Sequence, residues 1–195
     1  MNKHPGLLCI TTWLLVGCSA FGVIETNDPG QKLAQARQLF SILDRPLPAE
    51  RLIRESIDIY TANNDNAGLA EAYRYYAFFF KSPSVTHWEH VYAPNGFLDK
   101  SAKFDGRYEM SIKYFDLSLA EWNRIGRHDW DANIELNKAS AYLQMNQNEN
   151  ACRSYSLSLL ADQQYHINGR IDLPNGYGTS NEYISALMRL VPCKS

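Results

Sequence analysis

The chain has 195 residues, with 19 Lys and Arg against 21 Asp and Glu for a net charge of −2, and 12% of it is aromatic. A balance this even, with no basic patch, argues against a nucleic-acid binder. Composition alone leaves open what its densest aromatic stretch, "AYRYYAFFFK" at residues 72–81, is for.

The chain opens with a short basic segment containing Lys3, then an apolar run from Leu7 to Gly17, then Cys18. The run is shorter than the roughly 20 apolar residues that a membrane-spanning helix needs. Its layout is that of a secretory signal, residues 1–17, expected to be absent from the mature protein. Leu15-Val16-Gly17-Cys18 resembles the lipobox of bacterial lipoproteins, in which the cysteine after small residues is lipidated before the signal is cut. The resemblance implies an acylated Cys18 as the first mature residue. Ser19 in the next position implies sorting to the outer membrane of a diderm cell, on its periplasmic face. The alternative is an ordinary cleaved signal with a coincidental cysteine.

Loss of the signal takes Lys3 with it, leaving 18 basic against 21 acidic residues, or −3. Cys9 leaves as well and Cys18 carries lipid, so Cys152 and Cys193 remain as an even pair in an oxidising compartment. Such a pair reads as a disulfide, the alternative being two unpaired thiols.

Residues 18–30 have no helical period and end in turn residues, which suggests a tether reaching roughly 20 Å as random coil. From there on the apolar period is close to 3.6, and no useful stretch alternates as a strand would, so residues 31–195 are expected to be all-α. Asp28 and Pro29 supply a cap and a first-turn proline for a helix with Leu33, Ala36, Phe40 and Leu43 on one face. "RPLP" then reads as its stop. A second helix is expected from about Ala49 to Ala62, with Leu52, Ile53, Ile57 and Tyr60 inward. A third spans about 66–80. An insertion at about 81–106 breaks the period, and helices follow at about 107–125, 129–146 and 148–164. Thr179 and Glu182 form a capping box for a last helix at about 180–191, with Ile184, Leu187, Met188 and Val191 on one side.

Residues 56–77 laid over 118–139 pair Ser56 with Ser118, Tyr60 with Trp122, Ala70 with Ala132 and Ala77 with Ala139. The pattern resembles the tetratricopeptide repeat over about 49–165, most clearly in the unit 132–165. There Ala139 and Tyr142 occupy the small and aromatic places of the first helix, and Ala151, Tyr155 and Ser158 those of the second. The unit departs from the family at Glu135, where a large apolar residue is usual, and lacks the closing proline. The resemblance implies antiparallel helix pairs stacked into a short right-handed solenoid of about seven helices, and a protein partner rather than a substrate.

On the third helix Leu69, Ala72, Tyr73, Tyr76, Phe79 and Phe80 share one broad face, enough to bury it. Tyr75 and Phe78 lie off that face. Either they pack against neighbours inside the solenoid or beneath the insertion, or they line the groove that the first helix of each repeat faces in this family. Together with Trp88, Tyr92 and Phe97 of the insertion they are the candidate partner-binding residues, since aromatics suit such surfaces.

No catalytic, metal or cofactor site emerges. His87 and His90 of "HWEH" lack a third zinc ligand. "NNDNAG" at 63–68 lacks the alternating ligands of a calcium loop and reads as helix-capping residues. His128-Asp129 has no nucleophile motif beside it. The expectation is a noncatalytic lipoprotein that acts as an interaction scaffold or adaptor for an envelope enzyme or assembly component. The alternative is an immunity protein that neutralises a periplasm-acting toxin of a contact-dependent secretion system.

Overall fold

The computed structural model describes residues 22–165 and 170–193, so the segment read as a signal, residues 1–17, and Cys18 lie outside the described residues. Within them the chain is all-α, without a strand. α1 (Pro29–Ser41) starts where Asp28 accepts from the Gly30 and Gln31 N–H groups, leaving fewer of its first-turn donors unmatched. Leu33, Ala36, Leu39 and Phe40 form its buried face. Leu43, expected to continue that face, lies beyond the helix end and is exposed, because the chain turns at Asp44 with φ 50°.

α2 (Pro46–Ala62) begins three residues before the expected Ala49. The prolines of "RPLP" end nothing. They occupy the first turn of the new helix, where a missing N–H leaves no bond unmade. α3 (Asn66–Phe80) is capped by Asp65, whose side chain accepts from the Gly68 N–H, so the "NNDNAG" segment is a helix start. The insertion, expected to be aperiodic, folds into two short helices, α4 (Pro83–His87) and α5 (Glu89–Asn95). α6 (Arg107–Arg124), α7 (Asp131–Gln144), α8 (Asn148–Tyr165) and α9 (Ser180–Arg189) follow, the last with the full Thr179–Glu182 capping box. The described residues thus hold nine helices where about seven were expected, the difference being the two inside the insertion.

Apart from that excursion, each long helix packs on the next, from α1 through α9. One polar contact recurs down the row. The Ser56 hydroxyl of α2 donates to the Pro29 carbonyl at 3.0 Å, Ser118 of α6 to Ala70 at 2.7 Å, and Ser158 of α8 to Ala132 at 2.7 Å. In each case the second helix of a pair reaches the start of the first, and all three serines are buried without residual exposure. A serine satisfied in this way takes little space, which allows close helix approach at no cost in unmatched polar groups. Ala36, Ala70, Ala72, Ala77, Ala139 and Ala151 are likewise fully buried.

Gly68 is the tightest of these approaches. A Cβ placed there would lie 2.1 Å from Cε1 and 2.2 Å from Cδ1 of Tyr60, so the whole phenol ring would have to swing away. Two effects oppose each other in Gly68→Ala. Alanine gains up to about 1 kcal/mol as a helix former, while overpacking typically costs about 1–3 kcal/mol. The clash reaches Cγ at 2.7 Å, so overpacking wins. A lower urea midpoint for Gly68→Ala is the expected outcome, and an unchanged or raised midpoint would contradict it.

The core falls into two clusters. The larger spans α1 to α6, with the start of α7, around Phe40, Tyr76, Phe79, Phe80 and Phe115, and the smaller lies between α7, α8 and α9 around Tyr155 and Ile184. Residues of the expected tether are already ordered against the domain. The Gln35 side chain pairs with the Ile24 backbone both ways, at 2.8 and 2.9 Å, and Val23 packs on the larger core.

Candidate functional site

A half-open groove of about 830 Å³ runs along the side of the row formed by α1, α3, α7 and α9. These are the first helices of successive pairs, with α9 in the next such place. Tyr75 and Phe78 both line it, half-buried, so the two aromatics that single-sided burial could not explain face a common cleft. Phe78 is anchored by an edge-on contact to Phe115 at 5.2 Å.

The cleft is richer in cations than the chain as a whole. Among the described residues Arg37, Arg74, Lys81 and Arg170 line it, against Asp172 as the one lining carboxylate. Two of the cations are held by partners. Arg74 pairs with Glu71, and its guanidinium lies 4.2 Å from the Trp130 ring centroid. Arg170 pairs with Asp129 at 2.8 Å, and its guanidinium lies 4.5 Å from the same ring. Trp130 thus orients two guanidiniums, a contact that draws on the negative face of the indole.

Lys81 is different. Its ammonium donates to Asn137 Oδ1 at 3.0 Å, to the Asn137 carbonyl at 3.3 Å and to Ser140 Oγ at 3.2 Å, all of them neutral. Phe78 and Phe115 lie 5.6 and 5.8 Å away. Among the described residues no carboxylate lies within ion-pair distance of it. Burial without a counter-charge pushes its pKa down from 10.5 to about 8.

The insertion aromatics do not join the groove. Tyr92 and Phe97 are each 1% exposed, which corrects their assignment as partner-binding residues. Phe97 packs on Phe80 at 4.9 Å and stacks on Tyr92 at 4.5 Å, filling the core beside α3. Trp88 is half-buried against the same core and stacks on His90, also away from the groove. Single-sequence reading could not place them, because a stretch without a long period does not declare which face is inward.

Of the residues that sequence missed, Asn133, Asn137 and Ser140 form a polar stripe on α7, spaced four and three apart. That spacing puts them on one helix face, and it was the signal available. His87 pairs with Asp44 at 3.4 Å, while the His128 ring meets Asp131 at 3.0 Å rather than Asp129. Among the described residues no group of three or more His, Cys, Asp or Glu could hold a metal ion.

Cys152 of α8 and Cys193 are bonded, Sγ to Sγ, and fasten the end of the chain beyond α9 to the second core. Compared with protein-family models, curated proteins and solved structures, the chain matches none.

Proposed function

We propose that the chain is a lipid-anchored, tetratricopeptide-like module of the outer membrane's periplasmic face that holds a protein partner and performs no chemistry of its own. The repeating serine-to-carbonyl contact supports the repeat reading, and the Leu15-Val16-Gly17-Cys18 segment supports the anchor. The observation that carries the binding function is Lys81: a desolvated ammonium whose partners among the described residues are all neutral, flanked by Phe78 in a cleft lined by three further cations. Such a site gains most from a ligand that brings a carboxylate to the amine and an apolar side chain to Tyr75 and Phe78. The partner is therefore a protein segment with an acidic residue next to an apolar one.

Lys81→Met separates binding from stability. At neutral pH the buried ammonium is unfavourable in the folded state by something on the order of 1–3 kcal/mol, so its removal raises the melting midpoint by a few degrees. Capture of envelope proteins on the immobilised chain should be lost in the same variant, and in Tyr75→Ala with Phe78→Ala. Undiminished capture by all of them would sink the groove reading. pH supplies a second check. The folded pKa is about 8 against 10.5 unfolded, so the unfolded chain holds more protons between these values. The penalty is full below about 8 and is relieved as pH rises through that window. Capture should weaken over the same range, as the amine loses its charge. One partner held at nanomolar strength with its activity blocked would mark an immunity protein, and several weakly held, active partners an adaptor.

A further inference from the structure

The described chain does not start at an arbitrary point of the surface. From the cap of α1 the preceding residues run back along that helix, with Ile24 bound to Gln35 midway. They arrive at Gly22, where a Cβ would lie 3.2 Å from Arg45 Nη1. Arg45 belongs to the turn between α1 and α2, so the first described residue lies beside that turn.

The same turn displays apolar side chains. Ile42 is 75% exposed, Leu43 49% and Leu47 38%, and Ile24, on the returning segment, is 72% exposed. The turn is held in shape by its own backbone: the Ile42 and Leu43 N–H groups both donate to the Gln38 carbonyl at 3.1 Å, and the Arg45 N–H donates to Leu39 at 2.9 Å. Little ordering is therefore left to be lost when the side chains are covered.

Chain length selects the occupant. Gly22 is four residues from Cys18, and four residues span at most about 14 Å. An acylated Cys18 sits at the lipid surface, and amphipathic segments sink roughly 5–10 Å into the boundary of headgroups and acyl chains. A second protein would have to fit into the short gap that this tether leaves between turn and bilayer. We propose that the α1–α2 turn is a membrane-contact edge, at which Ile42, Leu43 and Leu47 enter the interfacial layer of the leaflet that holds the Cys18 lipid. The proposal rests on the anchor reading and goes beyond it, because it fixes which edge of the helix row meets the bilayer.

Photocrosslinking in the full chain tests it. The photoreactive residue p-benzoylphenylalanine is placed at position 42 in one variant and, in another, at position 160, a 57% exposed leucine on α8 near the far end of the row. Both are produced in a diderm bacterium, and isolated envelopes are irradiated. The expected result is a phospholipid adduct at 42 and none at 160. A protein adduct at 42, equal lipid adducts at both positions, or no adduct at 42 would overturn the contact edge. Membrane sedimentation reads the anchor separately: the unsubstituted chain should pellet and Cys18→Ser should not. A pelleting chain without a lipid adduct at 42 sinks the edge alone. An unsubstituted chain found in the soluble fraction, or a Cys18→Ser chain that still pellets, removes the anchor and this proposal with it.

Discussion

Glu50→Ala is expected to lower the unfolding free energy by about 3–5 kcal/mol, a large share of what holds a domain of this size together. Glu50 lies in α2, 2% exposed, and one carboxylate oxygen accepts from both the Tyr76 hydroxyl and the Leu98 N–H at 2.7 Å. Tyr76 in turn accepts from the Asp99 N–H at 3.4 Å, and Asp99 accepts from the Tyr114 hydroxyl at 2.7 Å. This chain of contacts ties α2, α3 and α6 to the insertion. Truncation would leave the buried Tyr76 hydroxyl proton and the part-buried Leu98 amide without their acceptor and open a cavity beside two phenols, which is why the loss exceeds that of one hydrogen bond. Burial raises the Glu50 pKa. A raised carboxylate stabilises the fold less as pH climbs from its unfolded value, 4.5, through its folded one, since the native state then holds the extra proton. Glu50→Gln keeps the accepting oxygen and removes the charge, so it should stay within about 1 kcal/mol of the natural protein at neutral pH. Urea titrations of the two variants decide the matter: equal losses would mean that volume, not the accepting oxygen, is what matters there.

Joint replacement of Cys152 and Cys193 by alanine is expected to have the next largest effect, up to about 4 kcal/mol for release of a loop of this length. The bonded cysteines are 41 residues apart. What they fasten is thin. Four of the eight buried residues in the second core are alanines, and the α9 residues Tyr183, Leu187 and Met188 pack on it only half-buried, beside Ile184. Hydrogen exchange should therefore speed up in α9 and the C-terminal half of α8 while the amides of α2, α3 and α6 keep their protection. Uniform acceleration across all helices would show one cooperative unit instead of two. Unchanged α9 amides would show that packing alone suffices.

Much of the architecture was legible because helical period and small-residue placement are local signals. The overlay of 56–77 on 118–139 matched Ser56 with Ser118 and Ala70 with Ala132, and the structure uses those residues alike: Ser56 and Ser118 as donors to the preceding helix, Ala70 and Ala132 as acceptors. α4 and α5 were not legible. Five and seven residues, the latter with Pro94 inside, are too short to establish a period. Tyr92 and Phe97 were taken for surface because nothing near them in sequence shows that space beside Phe80 needs filling. Tyr75 and Phe78 stood out because two large aromatics off the buried face of a helix are conspicuous, but sequence left open whether they pack inward or line a groove, and they do some of each. Lys81 was not, because the residues that make it unusual, Asn137 and Ser140, are more than fifty positions further on.

The three serine contacts join residues 27, 48 and 26 positions apart, yet they close with nearly the same geometry. The pairing is thus indifferent to how much chain is spooled out between its two halves. The Ser118 pair shuts around a stretch that carries α4 and α5, and the other two pairs shut without one. The length of chain between the two halves of a pair is in this sense uncoupled from the register of the stack.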